Sequence, residues 1–331
     1  MGDFLNHKWY SKDNLEYRVG ALLYSPAIHP SIAKSIVAGS IPGLSAVAFC
    51  VEDAIQDNIV EAAEQTLITS LRLIYENMPA TLPLLFIRVR CAAQIISILQ
   101  KLGSASEILT GFVLPKYDLT NAESYRPVIY GINCTRPAGR PLYVMPILES
   151  TSIASKAGRI DMLNRLYEQV SAIAEYVLNI RVGGNDFSNM LGVRRTVNQT
   201  IYENGAINSI LSDIISVFGR DYVVSGPVWE YFDNGGTDEW RTGLLRELAL
   251  DKLNGFIGKT AIHPSQLPVI KEAMKVDRAD YEDARQVVEW ADSDLAVAKS
   301  AGGDRMNEVK VHINWAHKTT KLASIYGVTD N

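Results

Sequence analysis

Two acidic residues follow consecutive apolar segments of the sequence, and their carboxylates could act together in one site. The run Leu142–Ser150 is almost entirely apolar up to Glu149, and the next apolar segment leads through Gly-Gly-Asn to Asp186. Both segments favour parallel strands buried on two faces, because they are short and rich in β-forming residues. At one edge of such a sheet the two acids could share Mg²⁺, which is typically held by one or two carboxylates. Capping of the following helices is the alternative role for each acid.

Other polar side chains stand at the ends of further apolar segments. They are Glu52, Asp53, Arg88, Arg90, Lys116 and His263. In a parallel barrel the site is built from the carboxyl ends of the strands. The set combines acids that can bind a cation with bases that can bind an anion, which suits a small carboxylate substrate chelated by Mg²⁺. Arg88 could grip a carboxylate with two hydrogen bonds, because guanidinium matches its planar fork.

The elements that must position these residues alternate between strand and helix. Apolar segments predict strands at Arg18–Pro26, Ala46–Val51, Leu82–Val89, Gly111–Leu114, Leu142–Leu148, Tyr176–Val182, Tyr222–Ser225 and Gly255–Pro264. Helical spacing falls between them at Asn58–Glu76, Ala92–Leu102, Thr120–Ile129, Ser152–Leu178, Thr196–Ile215 and Trp240–Lys252. Eight such units, with no GxGxxG turn after the first strand, predict an α/β fold of the TIM (β/α)8 barrel type. An open doubly wound sheet is the alternative.

The pattern changes towards the C-terminus. Residues 266–331 show helical spacing only, over Val269–Met274, Asp280–Lys299 and Asn307–Ser324. A chain of 331 residues has room for one barrel of roughly 250 residues and an appendage. We therefore predict a TIM-barrel domain over residues 1–265 and a helical C-terminal segment over residues 266–331.

Composition narrows the class of protein. With 47% hydrophobic residues, 21% charged residues and a net charge of -5, the chain is typical of a soluble globular protein without a basic footprint for nucleic acid. It has no run of 18 uninterrupted apolar residues and no N-terminal secretory pattern. Its three widely spaced cysteines suit a reducing compartment. We expect a cytoplasmic protein that binds neither nucleic acid nor membrane.

The order of the motifs resembles a known family. The motifs are Glu52-Asp53-Ala54, Ile-Arg88-Val, Val-Leu-Pro-Lys116, Pro-Ile-Leu-Glu149-Ser, Gly-Asn-Asp186 and Gly-Phe-Ile-Gly-Lys-Thr-Ala-Ile-His263-Pro-Ser-Gln266. From Arg18 to Leu267 the chain is similar to citrate lyase beta-subunit-like proteins of the HpcH/HpaI aldolase superfamily. The chain departs from the usual family pattern at Arg88-Val89-Arg90 and at Tyr24-Ser25-Pro26-Ala27. The second of these runs and Asp186-Phe187-Ser188 look more like a divergent bacterial branch of carbon-carbon lyases linked to stress and tellurium-resistance gene clusters.

The resemblance implies a Mg²⁺-dependent carbon-carbon bond lyase or aldolase acting on a small 2-oxo acid or an acyl-CoA. The cation would stabilise the enolate that forms on cleavage. The implied roles are metal ligand for Glu149 and Asp186, carboxylate binding for Arg88 with Arg90 beside it, acidic pair near the metal for Glu52 and Asp53, and support for Lys116. The resemblance also implies a homo-oligomer, such as a trimer, in which the C-terminal segment covers the barrel mouth of a neighbour. Folding back onto its own barrel is the alternative.

Two other functions stay open from the sequence. In a thioester hydrolase the same site would promote attack by water, and free CoA would appear without a second carbon fragment. A barrel kept only as a scaffold is the non-enzymatic alternative, although the ordered set of Glu149, Asp186 and Arg88 argues against it. The general base is open, since His263 could either move protons or orient the last loop of the barrel.

Overall fold

Eight short apolar segments form parallel strands in this computed structural model. The structure describes residues 14–137, 139–292, 296–300 and 302–330. The strands are β1 (Ala21–Pro26), β2 (Ala46–Cys50), β3 (Leu84–Arg88), β4 (Gly111–Leu114), β5 (Tyr143–Leu148), β6 (Ile180–Val182), β7 (Val224–Ser225) and β8 (Lys259–Ala261). Their hydrogen-bonded order is β7-β6-β5-β4-β3-β2-β1-β8. A parallel bridge between Gly226 and Lys259 joins the two end strands. The TIM barrel predicted from the sequence is confirmed.

Helices follow most of the strands. They are α1 (Leu15–Arg18), α2 (Ser31–Val37), α3 (Val60–Glu76), α4 (Ala92–Leu102), α5 (Leu119–Cys134), α6 (Thr151–Ala154), α7 (Arg159–Ser171), α8 (Gly184–Met190), α9 (Gly205–Phe218), α10 (Glu239–Leu253), α11 (Gln266–Ala273), α12 (Arg278–Glu289) and α13 (Val309–Tyr326). Single 3-10 segments occupy Asp57–Ile59, Gly103–Ile108, Ile201–Glu203 and Trp290–Asp292.

Two predicted helices have different limits in the structure. The segment Ser152–Leu178 is divided between α6 and α7, because Gly158 adopts φ +74° and breaks the helical path before Arg159. The helix predicted from Thr196 begins only at Gly205, where the side chain of Asn204 accepts hydrogen bonds from the first turn of α9. Spacing of apolar residues alone did not indicate these two starts.

The strands form because they can be buried on both faces. Every residue of β2, β3, β4 and β5 is buried, as expected for a parallel sheet covered by helices. Inside the barrel a cluster of apolar side chains includes Leu22, Ala48, Phe86, Met145 and Leu178. Arg88 and Glu149 lie at the carboxyl ends of β3 and β5, where these strands leave the packed layer.

The barrel and the C-terminal segment are separate compact units, the first ending at Ile270 and the second beginning at Lys271. The division falls later than residue 265, because the start of α11 contributes Leu267 and Ile270 to the buried residues. None of the helices in the described ranges is long and apolar enough to cross a membrane.

In the second unit, α12 and α13 pack through a small apolar cluster that includes Ala284, Val287 and Ala316. The prediction of a helix over Asp280–Lys299 is wrong at Val297–Lys299, which form a strand. Two antiparallel strands, β9 (Val297–Lys299) and β10 (Met306–Glu308), lie between the helices. Gly303, at φ +73°, lies in the turn between the two strands. A glycine pair with freedom at positive φ favours a reversal of the chain over a continuous helix.

Candidate active site

Three strand ends bring carboxylates together at one end of the barrel. Asp53 follows β2, Glu149 follows β5, and Asp186 lies in the first turn of α8 after β6. Each offers one oxygen, and these oxygens all lie within 4.8 Å of one another. The structure therefore brings together the two acids predicted as metal ligands and adds Asp53 to them.

Arg88, the last residue of β3, lies against this acidic cluster. Its Nη2 atom is 2.9 Å from Oε2 of Glu52, 2.9 Å from Oδ2 of Asp53 and 3.1 Å from Oε1 of Glu149. The guanidinium is also 5.7 Å from the centre of the Tyr24 ring. Arg88 is buried, and its Nε atom has no hydrogen-bond partner among the described residues. Arg88 thus compensates the charge of several acids, and its Nε–H remains available as a donor.

Lys116 links the same acids from the loop after β4. Its backbone has φ 48°, which is uncommon for a residue other than glycine. In this conformation the backbone N–H donates to Oε1 of Glu149 at 2.9 Å, while Nζ lies 2.6 Å from Glu52 and 2.7 Å from Asp53. The carbonyl of Lys116 accepts a hydrogen bond of 2.8 Å from Asn121, which holds the loop in place. The supporting position predicted for this lysine is therefore built into the backbone.

Gly183 gives Glu149 the room that it occupies. A Cβ atom at Gly183 would lie 2.2 Å from Oε2 of Glu149 and 2.4 Å from its Cβ. Real Cβ atoms essentially never approach a neighbour so closely. The glycine at the end of β6 is thus a requirement of the acidic cluster, and sequence reasoning had treated it only as part of the motif before Asp186.

Burial and charge divide the acids into two kinds. Burial raises the pKa of Glu149 to about 7, with Arg88 opposing the shift and Asp186 adding to it. Burial also raises the pKa values of Glu52 and Asp186. For Asp53, burial is outweighed by hydrogen bonds from Lys116 and the charge of Arg88, which lower its pKa to about 2. The cluster therefore carries more acid than its cations stabilise in the ionised form, as expected where a further cation binds.

A cavity of about 230 Å³ opens onto this cluster. Beside Asp53, Arg88, Glu149 and Asp186, its walls include Tyr24, Arg181, Asn185 and Thr260. The pattern of charged residues after each strand did not indicate these last four, because Tyr24, Arg181 and Thr260 lie within strands and Asn185 is uncharged. The sequence does contain an indication of Arg181, since it lies between apolar neighbours in a predicted buried strand, and arginine is rarely buried without a partner.

Arg90 and His263 are not among the residues that line the cavity. The guanidinium of Arg90 donates to the carbonyls of Val51 (2.8 Å) and Ile55 (2.5 Å), and to Asp57 at 2.6 Å. We propose that Arg90 shapes the loop after β2, in place of the substrate contact expected for it.

The ring of His263 is held within its own loop. Nδ1 is 2.8 Å from the hydroxyl of Ser265, and the imidazole stacks on Phe232 with ring centres 4.6 Å apart. These contacts orient the loop after β8. We propose that His263 has this orienting role, which leaves the general base without an assigned residue.

The structure shows a TIM barrel with a cluster of acidic side chains at the carboxyl ends of its strands, and comparison with known proteins gives its family. The chain belongs to the family described as C-C_Bond_Lyase of the TIM-Barrel fold, which matches residues 13–328. The enzyme class predicted from the sequence, a carbon-carbon lyase, is thereby confirmed. No curated protein matches the chain.

Solved structures share the fold at low sequence identity. A citrate lyase from Burkholderia xenovorans is 14% identical, with 94% of this chain and 93% of that chain covered and a TM-score of 0.70. CitE from Mycobacterium tuberculosis, in complex with magnesium, acetoacetate and coenzyme A, is 19% identical, with 93% and 99% covered and a TM-score of 0.63. The citrate lyase beta subunit of M. tuberculosis with oxaloacetate and magnesium is 20% identical, with 78% and 98% covered and a TM-score of 0.53.

Proposed function

We propose that this protein is a Mg²⁺-dependent lyase that breaks a carbon-carbon bond next to a carbonyl group and acts on a small 2-oxo acid or its acyl-CoA derivative. The observation that carries the proposal is the set of three carboxylate oxygens within 4.8 Å of one another, beside a buried arginine, in one cavity. Structural neighbours that were crystallised with magnesium and with oxaloacetate or pyruvate support it.

The residues present fit a hard divalent cation. All three groups offer carboxylate oxygen, the ligand type that Mg²⁺ prefers. Burial raises the pKa of Glu149 to about 7 although Arg88 opposes the shift, so a cation bound here would favour its ionised form. Glu149 and Asp186 would hold the ion with Asp53 beside them. When bound, Mg²⁺ supplies positive charge that stabilises the enolate left by carbon-carbon cleavage.

The chain's own cations would position the substrate. Nη2 of Arg88 is engaged by acids, whereas its Nε is buried without a partner among the described residues. We propose that this side chain binds the carboxylate next to the keto group, which would satisfy the remaining donor. Lys116 holds Glu52 and Asp53 at 2.6 and 2.7 Å and thereby keeps both acids beside the ion site.

Calorimetry with Mg²⁺ alone tests the metal site. The purified protein is expected to bind one Mg²⁺ per chain, and the double variant Glu149→Gln with Asp186→Asn is expected to lose this binding. The matched control is Asp213→Asn, which removes a carboxylate that pairs with Arg159 outside the cavity at 2.8 Å. Unchanged Mg²⁺ affinity in the double variant would show that the ion site is wrongly assigned.

Turnover tests the reaction class. A panel of small 2-oxo acids, hydroxy diacids and acyl-CoA thioesters is incubated with and without Mg²⁺, and the products are separated and identified. We expect two carbon fragments that appear only with the metal. Release of free CoA as the sole cleavage would instead indicate a thioester hydrolase.

A further inference from the structure

Arg181 is a buried cation that the proposed reaction leaves unused. It lies in β6, is 1% exposed and forms part of the cavity wall. Its Nη2 atom donates to Oγ1 of Thr260 at 2.6 Å, but Nε and Nη1 are buried without hydrogen-bond partners among the described residues. Two of the three guanidinium nitrogens of Arg181 are therefore unpartnered among the described residues, in the wall of a cavity.

Within the part of the chain that the structure describes, no carboxylate forms an ion pair with this charge. None of the ion pairs between described residues involves Arg181, whereas the neighbouring Arg88 has three acidic partners. Burial and the charge of Arg88 lower the pKa of Arg181, and a hydrogen bond to the side chain of Tyr24, a neutral phenol, opposes this shift. An unpaired buried charge is costly for a folded protein, because it loses hydration without gaining a counter-ion. Such a group persists where a ligand supplies the missing anion.

The two arginines of the cavity differ in a way that assigns them different tasks. Arg88 lies among the acids of the ion site, where the keto end of the substrate would bind. Arg181 bonds to Thr260 of β8 and has none of these acids as a partner. The unpartnered N–H groups on Nε and Nη1 are held in the guanidinium plane and can donate charge-assisted hydrogen bonds to a carboxylate.

We propose that Arg181 is a specificity-determining residue that binds a second carboxylate, so that the site selects substrates or products with two anionic ends over those with one. This inference rests on the proposed function for the position of the first carboxylate. Thr260 is its positioning residue, since its hydroxyl holds Nη2 and leaves the other two nitrogens directed to the ligand.

Paired acids that differ by one carboxylate test the inference. Oxaloacetate and pyruvate are titrated in the presence of Mg²⁺ into the wild type and into Arg181→Met, which keeps side-chain bulk but removes the charge. The wild type is expected to prefer oxaloacetate, and Arg181→Met to lose roughly ten- to a hundredfold in affinity for it, the range for hydrogen bonds to charged groups. Affinity for pyruvate is expected to change by less than about threefold, because pyruvate has no second carboxylate for Arg181 to bind.

Arg159→Met is the matched control. Arg159 is also buried, but it is paired with Asp213 at 2.8 Å and lies outside the cavity. This variant should unfold at a lower urea concentration than the wild type, because it leaves a carboxylate without its partner. Arg181→Met should unfold at the same or a higher urea concentration, because it removes a charge that has no partner.

Several outcomes would overturn the inference. They are equal affinity of the wild type for the two acids, binding of neither acid, an Arg181→Met variant that keeps the preference, and a variant that loses both acids alike. Because these are binding measurements, they are separate from the turnover test. A protein that shows the Arg181-dependent preference but no Mg²⁺-dependent cleavage would disprove the proposed reaction and retain the diacid site.

Discussion

A single nitrogen of the Arg88 guanidinium, Nη2, faces three carboxylates at 2.9 to 3.1 Å. A lysine would keep the positive charge but could not reproduce a planar fork with several fixed donors. We expect Arg88→Lys to lower kcat/KM by roughly ten- to a hundredfold, since hydrogen bonds to charged groups contribute about 1.5 to 3 kcal/mol. Steady-state kinetics and urea unfolding measured together separate this loss from a folding defect.

The control for this variant is Arg159→Lys, a change of the same kind at a buried arginine outside the cavity. It should cost stability and leave kcat/KM close to the wild-type value. Wild-type kinetics in Arg88→Lys would remove Arg88 from the substrate site.

Gly183 contributes to the site through the side chain that it lacks. We expect Gly183→Ala to weaken Mg²⁺ binding, because the new methyl group would occupy the place of the Glu149 carboxylate. The expected loss is about ten- to a hundredfold, as found when groups that orient metal ligands are changed. Overpacking should also cost roughly 1 to 3 kcal/mol of stability. Calorimetry with Mg²⁺ measures the first effect and urea unfolding the second.

Gly205→Ala is the comparison for Gly183→Ala, since a Cβ at this helix start meets nothing within 4 Å. It should bind Mg²⁺ like the wild type and be at least as stable, because alanine favours the helix. If both alanine variants bind Mg²⁺ normally, Glu149 is not held in the way described.

At the scale of elements, a fully buried ion cluster joins α10 to the closing strand of the barrel. Nζ of Lys259 in β8 lies 2.9 Å from Glu247 and 2.7 Å from Asp251, both on α10. Asp251 also accepts a hydrogen bond of 2.6 Å from the hydroxyl of Tyr202. We expect Lys259→Met to destabilise the protein by about 3 to 5 kcal/mol in urea unfolding, because the buried Asp251 loses its cation and Glu247 keeps only Arg195, at 3.4 Å.

The loss of stability in Lys259→Met should depend on pH. Burial already raises the pKa of Asp251, with Lys259 opposing the shift, so removal of the lysine raises it further. A folded-state pKa above the unfolded value favours the folded state at low pH, and this contribution disappears as pH rises through the folded pKa. Lys259→Met should therefore lose more stability at pH 8 than at pH 5.

Lys275→Met is the control for the charge change, since Lys275 pairs with Glu272 at 2.9 Å in a partly exposed position. Exposed pairs contribute about 0 to 1 kcal/mol, so its unfolding should stay close to that of the wild type at both pH values. A similar small effect in Lys259→Met would contradict the structural importance of the buried cluster.

At the scale of the whole molecule, we propose that the protein is a homo-oligomer in which the C-terminal unit of one subunit covers the site of a neighbour. The test is truncation after Ala273, because a cut at residue 266 would remove Leu267 and Ile270, which are buried with α11. The shortened chain should show a lower mass per particle in light scattering and reduced lyase activity. Full assembly together with full turnover would exclude this role for the segment.

Much of the architecture followed from local patterns in the chain. Runs such as Leu142–Leu148 are apolar throughout because the strands are buried on both faces, and this pattern can be recognised without coordinates. The parallel order then placed Glu149 and Asp186 at one edge, since alternating strands and helices direct all strand ends the same way. The sequence was less informative in the second unit, where the pair β9 and β10 depends on a turn that apolar spacing does not reveal.

The composition of the site itself needed the tertiary structure. Asp53, Glu149 and Asp186 are separated by long stretches of sequence, and only the closed barrel determines that their oxygens meet within 4.8 Å. The same closure brings Arg181 to Thr260 and leaves it without an ion pair to any described residue, whereas Arg90 is directed to the carbonyls of the loop after β2. The sequence by itself determined which strand ends carry charge, because that depends on local composition. Which charges face one another was decided by the strand register and the curvature of the sheet, which depend on the packing of the whole barrel.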